Sequence, residues 1–249
     1  GVINIPYNDI ITRENHDADK GKPGDIREPG GTISVSIQDG AGLVNPLRMR
    51  RDLLKNFFIS QGAEEEQSEI LIDALKDWVD EDDLRRLHGA EKEYYLEEET
   101  GYQPPNRMIK SKDELRLIRG YDQKIYEKIK DLIDFDLNTS AMNPNLMPPR
   151  AFQLFPQLPP EAVRRIQEQR RTGFIKQSDD LSLLSGFDFS PYSDFFRNYN
   201  SPVFYIRVAS EIEDQEEFFI RIKLLLTGGD QNQTENRPGK NEIQKASLT

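Results

Sequence analysis

Asp77, Asp80, Glu81, Asp82 and Asp83 crowd into one short stretch of the sequence, and Glu91 and Glu93 follow a few positions later. Carboxylates this close repel one another unless a cation or mobile salt offsets them. The first group falls where a helical pattern ends. Exposed carbonyls there already make the potential negative, so each added carboxylate costs a few tenths to about 1 kcal/mol. A divalent hard cation offsets such a cluster well, because calcium accepts six to eight oxygen ligands at roughly 2.3 to 2.6 Å and tolerates irregular geometry. With no cysteine and only His88 nearby, zinc and copper suit the site less. The glycine that an EF-hand loop requires at its sixth position is absent, so any site is non-standard. Asp80 and Asp82 are the first candidate ligands, with Glu91 reaching back from the far side of the loop and Asp83, Asp77 or Glu93 completing the shell. The alternative is a solvated acidic loop whose charge is screened by salt and partly compensated by Arg85, Arg86 and Lys92. Spacing alone leaves both accounts open.

Other chemistry is harder to find. A chain of 249 residues can bury a substantial core, but without cysteine it offers no disulfide, thiolate ligand or thiol nucleophile. His16 and His88 stand alone, with no serine and acid arranged beside them. Two carboxylates flanking a glycosidic bond need a cleft, which one short loop does not offer. Gly30-Gly31 precedes a strand instead of following one, the wrong context for a phosphate loop. A net charge of −11 opposes nucleic acid and anionic membrane. One feature points the other way. Leu158-Pro159-Pro160 runs into a helix bearing Arg164, Arg165, Arg170 and Arg171, followed by a turn at Leu184-Ser185-Gly186, which faintly suggests a helix-hairpin-helix whose backbone amides grip phosphates. A nucleic-acid binding module is therefore the alternative function. The plainer account of those arginines is a solvated or partner-facing helix face. No run approaches the roughly 18 apolar residues of a spanning helix.

The elements that carry these residues follow from periodicity. Residues 1–30 are rich in Asp, Asn, Gly and Pro and read as an extended lead-in. Thr32 to Gln38 alternate, with Ile33, Val35 and Ile37 on one face, the pattern of a half-buried strand. Leu53, Leu54, Phe57 and Phe58 form one helical stripe, and Ile70, Leu71, Ala74, Leu75 and Trp78 a second, in which Trp78 reads as core. Helical spacing returns at Leu115, Leu117 and Ile118, and at Ile125, Ile129, Leu132 and Ile133. A helix from Pro160 to Arg171 buries Val163 and Ile166, and a short one from Ser178 ends at the Ser185-Gly186 turn. Phe204, Ile206 and Val208, then Phe218, Ile220, Ile222 and Leu224, alternate as two strands around an acidic turn near Glu213-Asp214-Gln215. The asparagine-containing turns at Val44-Asn45-Pro46 and Leu137-Asn138-Thr139 are a weak internal echo. One strand before the helices and two after them predict an α+β fold in which a helical block interrupts a small antiparallel sheet. The predicted divisions are 1–46, lead-in and first strand; 47–198, inserted helical domain; 199–227, closing strands; and 228–249, a disordered tail.

Taken in order, Gly30-Gly31-Thr32-Ile33-Ser34-Val35-Ser36-Ile37-Gln38-Asp39, Leu71-Ile72-Asp73-Ala74-Leu75-Lys76-Asp77-Trp78-Val79-Asp80-Glu81-Asp82, Gly89-Ala90-Glu91-Lys92-Glu93-Tyr94-Tyr95 and Asp113-Glu114-Leu115-Arg116-Leu117-Ile118-Arg119-Gly120 resemble the K-type minor pseudopilins of bacterial type II secretion, the general secretion pathway protein K family. Asp136-Leu137-Asn138-Thr139, Gly173-Phe174 with Asp180-Leu181, Leu184-Ser185-Gly186-Phe187 and Phe204-Tyr205-Ile206-Arg207-Val208 extend the likeness over roughly residues 30 to 226. The resemblance implies a pilin-like antiparallel sheet carrying a large inserted all-α domain. It implies a non-enzymatic place at the pseudopilus tip with I- and J-type pseudopilins, in support of protein export across the outer membrane. It implies a periplasmic location, anchored in the inner membrane by an amino-terminal pilin helix that this chain does not include. It also implies calcium in the acidic loop, where Asp80, Asp82 and Glu91 match the motif best. The chain departs from the family pattern at Asn45-Pro46 and at Leu184-Ser185-Gly186.

Overall fold

The computed structural model describes residues 13–14, 31–212, 218–226 and 246–248, with side chains described for 36–207 and 222–226. The chain divides into two compact units. One is formed by residues 1–41 and 200–249, and the other by the continuous stretch 42–199.

The first unit is an antiparallel sheet of β1 (Arg13–Glu14), β2 (Gly31–Asp39), β3 (Val203–Ile212), β4 (Phe218–Leu225) and β5 (Ala246–Leu248), in that spatial order. The alternation read from sequence is what a strand with unlike faces requires, and the register keeps it intact. Ile37 stands opposite Ile206, Ile206 opposite Ile222, and Ile222 opposite position 248, so one cross-strand row is apolar through the sheet. Three strands were expected and five are present among the described residues, the extra two being edge strands too short for a periodic signal. Leu248 belongs to one of them, so the disordered tail predicted for 228–249 does not extend over 246–248. The remainder of that tail, the acidic turn at 213–215 and most of the lead-in lie outside the described residues. Asp39 closes the base of the sheet: its Oδ1 accepts the backbone N–H of Ala41 at 2.8 Å and of Ser201 at 3.1 Å, which joins the chain leaving β2 to the chain entering β3.

The second unit contains α1 (Arg51–Ser60), α2 (Glu65–Val79), α3 (Lys92–Glu97), α4 (Gln123–Ile129), α5 (Pro160–Thr172) and α6 (Ser178–Ser185). Leu53, Leu54, Phe57 and Phe58 of α1 and Leu71, Ile72, Leu75 and Trp78 of α2 are buried in one cluster with Ile125 and Ile129 of α4, Ile166 of α5 and Leu181 of α6. The helical spacing at Leu115, Leu117 and Ile118 proves to be a 3-10 turn over Lys112–Leu117, where three residues per turn bring Leu115 and Ile118 inside and leave Leu117 out. At the end of α6, Gly186 adopts φ +70°, the left-handed conformation its lack of Cβ permits. The two asparagine turns that echo each other in sequence are joined in space, since Asn45 Nδ2 donates to the Leu137 carbonyl at 2.5 Å.

Candidate metal centre

Asp73 and Asp77 lie one turn apart on α2, and both are buried among its apolar positions. Helical geometry aims two such side chains the same way. Here they reach the backbone of the loop that follows the helix: Asp73 Oδ2 accepts the N–H of His88 at 3.2 Å, and Asp77 Oδ2 accepts the N–H of Arg86, also at 3.2 Å. Arg51 pairs with Asp73 at 2.6 Å and offsets its charge. Gly89 passes so close that a Cβ there would stand 1.8 Å from Asp77 Oδ2, so a glycine is required for this approach. Arg119 fastens the far end, donating to the carbonyl of Gly89 at 2.9 Å while its guanidinium lies over the Tyr94 ring.

The anchored loop folds back and delivers Glu91 to the end of α2. One carboxylate oxygen from each of Asp77, Asp80 and Glu91 lies within 4.8 Å of the other two. Asp77 is fully buried and Glu91 is only 2% exposed. Arg86 Nη1 bridges the first pair, donating to Asp77 Oδ1 at 2.6 Å and to Asp80 Oδ2. Among the described residues, Asp80 Oδ1 and both oxygens of Glu91 are buried without a hydrogen-bond partner. Burial, reinforced by the neighbouring charges of Asp77, Asp80, Asp83 and Asp82, pushes the Glu91 carboxyl up to about 7. Burial also raises Asp77, against the lowering effect of Arg86.

Of the six candidate ligands, Asp77, Asp80 and Glu91 are brought together. Asp82 stands outside the group; it is exposed, and its Oδ1 accepts the N–H of Leu84 at 2.9 Å within its own loop. Asp83 and Glu93 are exposed and also stand outside it. Sequence reasoning missed the loop-pinning roles of Asp73 and Gly89. The available signal was a pair of acids at i and i+4 inside an otherwise apolar stripe.

The donor set fits a hard divalent ion. It is all oxygen, carries two more negative than positive charges once Arg86 is included, and holds buried acceptors with no donor of their own. In such a site Asp77, Asp80 and Glu91 would hold the ion, and the ion would neutralise charge and tie the loop to α2.

Trp78 adjoins Asp77 and packs edge-on against Tyr95, ring centroids 5.5 Å apart, and against Tyr102.

Three of the four candidate arginines of α5 are engaged within the unit, and Arg171 is exposed. Arg170 is half-buried, donates to the carbonyls of Met147 and Pro144, and lies over the Phe152 ring. Arg165 donates to the carbonyl of Ser185, and Arg164 pairs with Glu161 at 2.7 Å. Beyond α6, the Asp188 carboxylate accepts both the N–H and the hydroxyl of Ser190.

Several known proteins are similar to this chain. Residues 36–133 match the family described as type II secretion system (T2SS), protein K. Type II secretion system protein K of Klebsiella pneumoniae is 30% identical over 151 residues, which cover 58% of this chain and 45% of that protein. The protein of the same name from Pseudomonas aeruginosa is 28% identical over 163 residues, covering 61% of this chain and 49% of the relative. The chain therefore spans about half the length of these relatives or less. Its fold is that of a chain in the crystal structure of the GspK-GspI-GspJ complex from the enterotoxigenic Escherichia coli type 2 secretion system, with a TM-score of 0.63 and 17% identity over 92% of this chain and 81% of that one.

Proposed function

We propose, from the match of residues 36–133 to the type II secretion system protein K family, that this chain is the periplasmic part of a non-enzymatic minor pseudopilin acting at the tip of the pseudopilus. The observation that carries this reading is the shared fold with a chain from a complex of K, I and J components, over nearly the whole of both chains. By that likeness the partners of this chain are I- and J-type pseudopilins, and its part in protein export is mechanical. The apolar row at Ile37, Ile206 and Ile222 supports a sheet that packs against a pilin helix, which would also anchor the full-length protein in the inner membrane. Co-purification with I- and J-type subunits of the same system tests the assignment. A stoichiometric complex on size exclusion is the expected result, and separate elution at micromolar concentrations would count against it.

The second part of the reading is a structural calcium ion held by Asp77, Asp80 and Glu91. Its support is the pair of buried, partnerless oxygens of Glu91 facing two other acids. An ion that binds only the folded state raises stability by mass action. The chelated protein is expected to melt several degrees lower than the calcium-loaded protein; an unchanged melting temperature would remove the site.

A further inference from the structure

We propose that Arg86 sets the ion selectivity of this centre by fixing its charge at two negatives, a reading that rests on the calcium site proposed above. The guanidinium touches two of the three carboxylates through one nitrogen, Asp77 Oδ1 at 2.6 Å and Asp80 Oδ2, and the backbone N–H of the same residue donates to Asp77 Oδ2. It thereby occupies the oxygens on one side of the cluster and leaves Asp80 Oδ1 and both Glu91 oxygens bare on the other.

Three carboxylates and one guanidinium sum to −2, which a divalent ion cancels. Two other cations near the loop are engaged apart from these acids. Arg51 pairs with Asp73 and Glu69, and Arg119 bonds carbonyl oxygens of the loop. With Asp77 fully buried and Glu91 nearly so, water screens a mismatch of charge poorly. A trivalent ion in the wild-type site leaves one positive charge uncancelled. In a site without Arg86 the carboxylates carry −3, and the balance moves towards the trivalent ion.

The probes are calcium and terbium, with terbium luminescence sensitised through the neighbouring Trp78 and calcium measured by competition. The quantity read is the ratio of the two dissociation constants. For Arg86→Gln the ratio is expected to move towards terbium by about tenfold or more, a value reduced from the fully buried case because Arg86 is partly exposed. Arg86→Lys, which keeps the charge, should stay near wild type. Asp80→Asn with Arg86 intact gives an independent arm: the site charge becomes −1, and the ratio should move towards calcium.

If Arg86 only props up the carboxylates, Arg86→Gln weakens both ions by the same factor and the ratio holds, which overturns the proposal. An unmoved ratio in Asp80→Asn overturns it as well. Failure of the wild-type protein to bind either ion sinks the calcium reading itself, and the selectivity role with it. Retained binding with a constant ratio across the variants removes the selectivity role alone.

Discussion

A carboxyl group shut away from water beside two other acids keeps its proton to unusually high pH, and Glu91 is such a group. Its folded value near 7 lies above the ordinary 4.5, so in the metal-free protein its contribution to stability is present in full below about pH 4.5 and is lost as pH rises through 7. In chelator, Glu91→Gln should therefore be more stable than wild type at pH 8, by about 1 to 3 kcal/mol for a buried charge removed, and no more stable at pH 4.5. Urea denaturation at both pH values measures this. Calcium should restore wild type at pH 8 and leave the variant unchanged, and calorimetry near pH 7 in buffers of different ionisation heat should detect a proton released on binding. Gly89→Ala tests the geometry from the other side. Its methyl would meet Asp77 Oδ2, so the variant is expected to lose about 1 to 3 kcal/mol of stability and most of its response to calcium. At this scale the sequence displayed the cluster but not its selection. Asp80, Asp82 and Glu91 stand out by spacing, yet Asp82 turns to the N–H two residues on, a competition that residue types alone do not resolve. Asp77 sits on the buried face of α2, where its role depends on a loop that periodicity cannot draw.

Helices with an apolar stripe announce themselves, and the segments between them do not. The stripes at Leu53 to Phe58 and Ile70 to Trp78 specify α1 and α2 because each needs one buried face. The proline-rich stretch between α4 and α5 carries no such period, and it is held by side-chain amides. Asn145 Nδ2 donates to the Ile175 carbonyl at 2.8 Å and to Asn143 and Asn198 at 3.1 Å each, while its Oδ1 accepts the Ile175 N–H at 2.8 Å. The bonds to Ile175 and Asn198 cross thirty and more positions of sequence, so no local window contains them. Asn145→Ala leaves the Ile175 amide and carbonyl without partners in a buried place. The expected cost is about 2 to 6 kcal/mol in urea unfolding, at about one to three for each of the two buried groups stranded. Because the network is remote in sequence from the acidic loop and bonds other segments, the variant should keep the wild-type calcium affinity once folded. A loss of calcium binding in a folded Asn145→Ala protein would mean that the helical unit couples these regions more tightly than its hydrogen bonds indicate.

The two units differ in how the chain builds them. The helical unit is continuous, its core cluster runs from Val44 to Phe189, and the metal centre lies wholly inside it. Its ends are tied down internally: Val44 exchanges backbone hydrogen bonds with Leu132 and Asp134 at 2.9 Å, and the Tyr199 carbonyl accepts from Asn143 at 2.8 Å. The sheet, by contrast, pairs β2 with β3 across the whole insertion. The switch of period from alternating to helical and back made this nesting readable from sequence. The edge strands β1 and β5 were not readable, since two or three residues carry no period. If the helical unit owes its stability to its own core, residues 42–199 expressed alone should fold, melt cooperatively, and bind calcium with the affinity of the full chain. Loop closure supports this, because removing the sheet leaves every contact of the unit in place and costs no new ordering. Circular dichroism melting with and without calcium reads both properties. A cooperative transition that rises with calcium by the same amount as in the full chain is the expected outcome. A non-cooperative transition or a much weakened calcium response would mean that the sheet supplies stability the core of the helical unit lacks.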